Sequence, residues 1–246
     1  MARQLDEQIA GRFPVGRRLR ILDVGMGRGA QALRLVRAGH QVTGVERDAA
    51  LISAARSSLG CEPDGIRERM RIIEGDGRDT GVHFLPGSFD VVLCHGVLMH
   101  VEEPDPLLAG LARMLAPGGL LSLLVRNGDA LAMRPALSGD WHGALAAFDT
   151  TARLPHARTP DAHEGTPVGP VPGGRADRLA TLTATLAGIG APLHSWYGVR
   201  VFTDLAADDT GTPDDVGTLL ACEERAGRTD PYRGVAALLH LCGVRG

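Results

Sequence analysis

The chain has 246 residues, 44% of them apolar, with 26 basic side chains against 29 acidic ones and a formal net charge of −3. That length suits one domain with a sizeable core, and no apolar run approaches the roughly 18 residues of a membrane-crossing helix. The slightly acidic balance does not point to binding of nucleic acid by charge alone.

All of the basic residues are Arg. Codon bias in a GC-rich genome explains that better than function does. The four cysteines, Cys61, Cys94, Cys222 and Cys242, form no C-x-x-C pair and read as free thiols. His156 and His163 have no partner at a ligand spacing, so no metal site is expected. The amphipathic start MARQLDEQIAGRF has no signal-peptide core, and a cytoplasmic location is expected.

In chain order, Leu5, Ile9 and Phe13 recur at helical spacing and predict a helix over 2–13. Residues 20–24 read as a strand, 30–38 as a helix closed by Gly39, and 41–46 as a strand. A helix over 48–59, strands over 70–76 and 89–96, and a helix over 105–114 follow. The turn APGG at 116–119 then leads into a strand over 120–127. Strand and helix alternate for about 110 residues, which predicts an α/β fold with a doubly wound, mostly parallel sheet and helices on both faces. The near-continuous apolar runs VVLC and LLSLLV fit strands covered on both sides.

Beyond Asn127 the pattern loosens. Residues 128–149 read as one or two helices, with Trp141 as a core residue, and 153–175 as a long Pro/Gly-rich mobile loop. A helix over 177–188 and a strand region over 191–204 follow, with Tyr197 and Arg200 near the middle of the latter. Helical or mixed elements over 216–226 and 232–241 close the chain.

ILDVGMGRGA, residues 21–30, places a glycine turn between a strand and a helix, where an α/β protein builds a nucleotide pocket. The stretch fits both G-x-G-x-x-A, a dinucleotide pattern, and D-x-G-x-G-x-G from Asp23, the first motif of S-adenosylmethionine (SAM) enzymes. Glu46, at the end of the second strand, suits a ribose in either case. Asp76 in EGDGRD is placed to accept from an adenine amino group, beside Gly77 and Arg78.

ILDVGMGRG, VTGVE, EGDGRD, FDVVLCHGVLMHVEEP and LAPGGLLSL occur in an order and spacing that resemble a class I SAM-dependent methyltransferase over residues 20–127. The resemblance implies a Rossmann-like sheet with one antiparallel strand, SAM as cofactor and S-adenosylhomocysteine as product. It implies that Asp23, Gly25, Met26, Gly27 and Gly29 meet the methionine end. Glu46 would hold the ribose and Asp76, Gly77 and Arg78 the adenine, Arg47 would also bind the cofactor, and His95 would open onto it. One domain over 1–246 is expected, with acceptor-binding elements in 128–246.

LLSLLVRNGDALAMRPALSGDW, YGVRVFTDL and LLACEERAGRTDPYRGVAALLHL are similar to the bacterial tRNA 5-carboxymethoxyuridine methyltransferase family. That family methylates the carboxylate of a modified wobble uridine, so tRNA becomes a candidate partner. The resemblance also implies more chain before the first strand than the about 20 residues here, so the expectation is either that part of a cofactor lid is missing or that the protein closes differently.

A carboxylate is already ionised at pH 7 and needs positioning rather than a base. Arg126 and Arg200 are the candidate clamps, with Tyr197 and Tyr232 beside them. An alcohol or phenol acceptor would instead need a base, with His95, His100 or His142 as options. Arg126, Arg134, Arg153, Arg158, Arg225, Arg228 and Arg233 are candidates for a phosphate-binding patch. A small-molecule acceptor is the alternative to tRNA, followed by a SAM-binding protein without catalysis and, last, a NAD-dependent oxidoreductase.

Overall fold

The computed structural model describes residues 1–149, 175–205 and 215–246. Its centre is a seven-stranded sheet: β1 (Arg20–Val24), β2 (Gln41–Glu46), β3 (Met70–Glu74), β4 (Phe89–His95), β5 (Leu115–Arg126), β6 (Leu193–Val199) and β7 (Leu238–Val244). The order across the sheet is β3-β2-β1-β4-β5-β7-β6. β1 to β5 pair in parallel, and β7 runs antiparallel between β5 and β6. The chain reverses its winding direction between β1 and β4, so a crevice opens at the carboxyl ends of these two strands.

The helices are α1 (Ala2–Arg12), α2 (Ala30–Arg37), α3 (Ala49–Gly60), α4 (Asp64–Arg67), α5 (Thr80–His83), α6 (Pro104–Met114), α7 (Met133–Leu137), α8 (Trp141–Phe148), α9 (Leu179–Gly188) and α10 (Val216–Ala226). Alternate strand residues feed two cores, as the pleat requires. Leu22, Val24, Val92 and Cys94 face Leu107, Leu108 and Leu111 of α6 and Leu182 and Leu186 of α9. Ile21, Val91 and Leu93 face Leu5 of α1, Leu33 and Val36 of α2 and Ala55 of α3. Among the described residues no helix is long and apolar enough to cross a membrane.

Up to α6 the strands and longer helices follow the sequence reading within about two residues, whereas the short helices α4 and α5 are not in it. Three later expectations are corrected. The helical or mixed element expected over 232–241 is a short turn, Tyr232–Val235, followed by the strand β7. LLHLCGV is buried on both faces between β5 and β6, and such a run carries no period that separates strand from helix. The turn at 116–119 is absorbed into β5 as a bulge: Phe89 pairs with Leu115, and the register then skips to Val91 with Leu120. Trp141 is not in the core. It is exposed on α8 together with Leu145 and Phe148, because α8 packs on α7 rather than on the sheet. The loop expected over 153–175 lies outside the described residues except for Arg175.

Candidate functional site

The glycine turn is possible because Gly25 and Gly27 take φ of 68° and 56°, which L side chains rarely adopt. A Cβ on Gly25 would also overlap Val97 from the loop after β4. Glu46 fastens this turn. Its Oε2 accepts from the Gly27 N–H at 2.9 Å, and its Oε1 accepts from the N–H groups of Arg47 and Asp48 at 2.9 and 3.1 Å. A carboxylate offers about four acceptor sites, so three are spent on the backbone and one remains for a ligand hydroxyl.

The crevice holds a cavity of about 820 Å³, a size suited to a cofactor. Of the residues expected to touch a cofactor, Gly25, Gly27, Glu46, Arg47, Asp76, Gly77, Arg78 and His95 line it. Met26 and Gly29 do not. Met26 is buried beneath β2, where its Sδ fills the space a side chain on Gly44 would need. Gly29 is the left-handed N-cap of α2, packed close to Ala55 of α3. Asp23 lies beneath the cavity wall, 2% exposed, and its Oδ2 has no hydrogen-bond partner. Burial, and then the charge of Glu46, push its pKa up to about 7.

Asp76 is less free than its sequence role implies. Its Oδ1 accepts from the Arg78 N–H and Nε–H at 2.9 and 3.0 Å, and its Oδ2 meets Arg78 Nη2 at 2.7 Å. The Arg78 hydrogen bonds hold its carboxyl down to about 2. The loop after β4 supplies wall residues that the motif reading did not single out, among them Val97, Val101 and Glu103, and it also places His100 there.

A second cavity, of about 210 Å³, lies behind the same loop. Met99 lines it while His100 lines the first cavity, so the turn Leu98–His100 is a wall common to both. Arg126, Arg134 and Arg200 converge on this second cavity together with Asp204. Arg126 Nη1 is buried without a hydrogen-bond partner, and burial lowers the pKa of its guanidinium. Asp204 stands 3.6 Å from Arg200 Nε and 4.0 Å from Arg134 Nη1. Arg200 sits at φ 60° just past β6, a left-handed residue that is not glycine. Such strain persists only where the surrounding structure holds it. Asp204 was missed in the sequence because nothing in YGVRVFTDL shows that a turn folds it back onto two arginines.

Neither tyrosine reaches this cavity. Tyr197 is buried against α1, where its hydroxyl accepts from Gln8 at 2.6 Å and its ring stacks on His240. Tyr232 is half exposed with its ring edge toward Phe202. Both are expected beside the arginines, but β6 and the turn before β7 carry them to other surfaces. His142 is exposed on α8. Of the candidate patch, Arg228 is paired with Glu7 and Glu224, and Arg233 with Asp230, while Arg153 and Arg158 lie outside the described residues.

Residues 22–123 match the family model described as a methyltransferase domain. The chain is a SAM-dependent methyltransferase. Over 96% of its length, and 83% of the relative's, it is 29% identical to the tRNA 5-carboxymethoxyuridine methyltransferase of Escherichia coli K12. Its fold is that of class I methyltransferases. A SAM-dependent methyltransferase of Methanosarcina mazei superposes with a TM-score of 0.63 at 15% identity, covering 97% of this chain and 96% of that one. The magnesium protoporphyrin IX methyltransferase of Synechocystis PCC 6803, solved with bound S-adenosylhomocysteine, superposes at 0.60 with 18% identity, over 100% of this chain and 83% of that one. The residues present fit the methyltransferase's cofactor. The turn offers close backbone approach, Glu46 keeps an acceptor site for a ribose hydroxyl, and the buried Asp23 Oδ2 lacks a donor such as the methionine ammonium would supply.

Proposed function

We propose that this methyltransferase esterifies a carboxylate carried on a modified wobble uridine of tRNA, in the cytoplasm. The observation that carries the reading is the convergence of Arg126, Arg134 and Arg200 on a cavity that shares a wall with the cofactor's, with Arg126 Nη1 buried and unpartnered. A guanidinium fork matches a carboxylate through paired hydrogen bonds, and a buried unpaired donor is costly until an acceptor arrives. The name of the Escherichia coli relative supports the same acceptor class.

Bound SAM supplies an electrophilic methyl on a sulfonium. The arginines would hold the carboxylate oxygen that accepts this methyl, while the C–S electron pair would stay on sulfur. No proton leaves the acceptor, so no general base is required. The contribution of Arg126 and Arg200 would be to fix that oxygen, and placement of that kind governs the rate.

A small organic acid is the second reading. The second cavity is only about 210 Å³, and the pairing of Arg228 and Arg233 with acidic residues withdraws two cations from phosphate binding. The test is methyl transfer from labelled SAM to tRNA carrying 5-carboxymethoxyuridine and to the same tRNA without it. Label is expected only in the carboxylated tRNA and released by mild alkali, as an ester requires. Arg126→Ala is expected to retain SAM binding and lose roughly a hundredfold in transfer. Label reaching small acids but not tRNA would overturn the tRNA reading, and binding of SAM without transfer to any acceptor would overturn both.

A further inference from the structure

A line of buried polar side chains crosses the sheet from the cofactor cavity to the N-terminal helix. His95, at the end of β4, lines the cavity. Its Nε2 lies 2.8 Å from Ser122 Oγ on β5, and the same oxygen lies 2.8 Å from His240 Nε2 on β7. His240 Nδ1 is 3.0 Å from Oε1 of Gln4 on α1, and Gln4 Nε2 donates to the Gly198 carbonyl at 3.4 Å. Ser122 and His240 are fully buried, and Gln4 nearly so.

The direction of every proton in this line follows from its far end. The Gly198 carbonyl only accepts, so the Gln4 amide nitrogen faces it and the amide oxygen faces His240. His240 Nδ1 therefore carries a hydrogen. Burial disfavours a second proton on this ring and pushes its pKa down to about 3, so Nε2 is a bare acceptor. The Cys242 thiol also lies 3.6 Å from that nitrogen, but the Ser122 hydroxyl is nearer, at 2.8 Å, and a stronger donor than a thiol, so the Ser122 hydrogen takes the acceptor and the Ser122 oxygen accepts from His95 Nε2–H. Burial also lowers the pKa of His95, to about 4. Nδ1 of His95 is then an acceptor, and among the described residues it has no hydrogen-bond partner. The opposite polarity would set the Gln4 oxygen against the Gly198 oxygen.

We propose that Gln4, His240 and Ser122 are positioning residues that lock His95 as its Nε2–H tautomer, so that its bare Nδ1 faces a hydrogen-bond donor of the bound cofactor and α1 becomes coupled to cofactor affinity. The donor class is an ammonium or hydroxyl, and the methionine end of SAM carries the former. The link to affinity rests on the cofactor reading of the cavity; the tautomers do not. A second tie points the same way: Gln8, one turn along α1 from Gln4, donates to the Tyr197 hydroxyl, and the Tyr197 ring stacks on His240.

The test is imidazole nitrogen NMR on the full chain together with calorimetric titration of SAM. In the wild type, His95 is expected as the Nε2–H tautomer and His240 as the Nδ1–H tautomer. Gln4→Met and Ser122→Ala are expected to turn His95 into a mixture of tautomers and to raise the SAM Kd roughly two- to tenfold, the worth of one hydrogen bond. Gln4→Glu keeps an acceptor toward His240 and is expected to retain the Nδ1–H form there. An Nδ1–H His95 in the wild type overturns the proposal without any variant having to fold. Unchanged tautomers and Kd in Gln4→Met also overturn it. A wild type with the stated tautomers and no affinity for SAM overturns the coupling and, separately, the cofactor reading.

Discussion

Asp23 is a buried carboxylate with an unpartnered oxygen, and its charge is held at the expense of the fold. Burial first, and Glu46 second, raise its pKa from an ordinary value near 3.9 to about 7. Between those two values the folded chain holds a proton that the unfolded chain has lost, so folding stability falls as pH rises through this window. A shift of about three pH units is worth on the order of 4 kcal/mol. Asp23→Asn keeps the shape and removes the charge. Its stability advantage over the wild type, read from urea midpoints, should therefore grow from pH 4 to pH 7 and then level off. A cation beside Asp23 offsets the same penalty, so wild-type affinity for SAM should rise as pH climbs through about 7, and the Asn variant should lose both affinity and that pH dependence. Parallel titration curves for the two proteins would show that Asp23 does not ionise beside the cofactor.

At the scale of elements, β6 and β7 carry the features that separate this chain from a bare cofactor-binding unit, and they were the least legible in the sequence. From β1 to α6 each apolar run ended at a glycine, a capping Asp or a proline, and those signals gave the boundaries. LLHLCGV lacks them, because a strand with neighbours on both edges and cores on both faces is apolar throughout. The cofactor turn was legible for a related reason: backbone conformation dictates Gly25 and Gly27 wherever such a turn exists. The pairing of Arg126 with Arg200 was named from chemistry, whereas Arg134 and Asp204 arrive through tertiary folding that leaves no local pattern. Tyr197 shows the converse, since it stands three residues from Arg200 and points to a different surface.

Two substitutions test this edge of the sheet. A Cβ on Gly198 would lie 2.7 Å from the Arg233 carbonyl oxygen and 2.8 Å from Ala236 Cβ, so Gly198→Ala must move backbone and should cost about 1–3 kcal/mol by denaturant titration. Arg200→Gly removes a side chain from a left-handed residue whose strain is worth about 1–2 kcal/mol. Against it stands the added freedom of glycine in the unfolded chain, about 0.4–1 kcal/mol. Stability should therefore hold or rise slightly while methyl transfer collapses. A clear loss of stability would mean that Arg200 is held for the fold rather than for the acceptor.

For the whole molecule, the two buried histidines set the response to acid. His95 and His240 have their pKa values depressed by burial, to about 4 and about 3, and His240 further by the proximity of His95. A histidine whose folded value lies below the unfolded value near 6.5 leaves the unfolded chain with more bound protons in that interval, so stability is complete above pH 6.5 and lost as pH falls toward 4. Asp23 has the opposite slope over much of the same range, but it is one group against two. The net curve should therefore rise with pH from 4 to 6.5 and decline gently above it until Asp23 is ionised. His240 also joins β5, β7 and α1 through Ser122 and Gln4, so its protonation breaks the bond from Ser122 and places a charge between both cores. Acid unfolding should then begin with α1 leaving the sheet. Hydrogen exchange at pH 5 should show α1 losing protection before β1 and β4, and a simultaneous loss across all three would place the acid-sensitive group elsewhere in the fold.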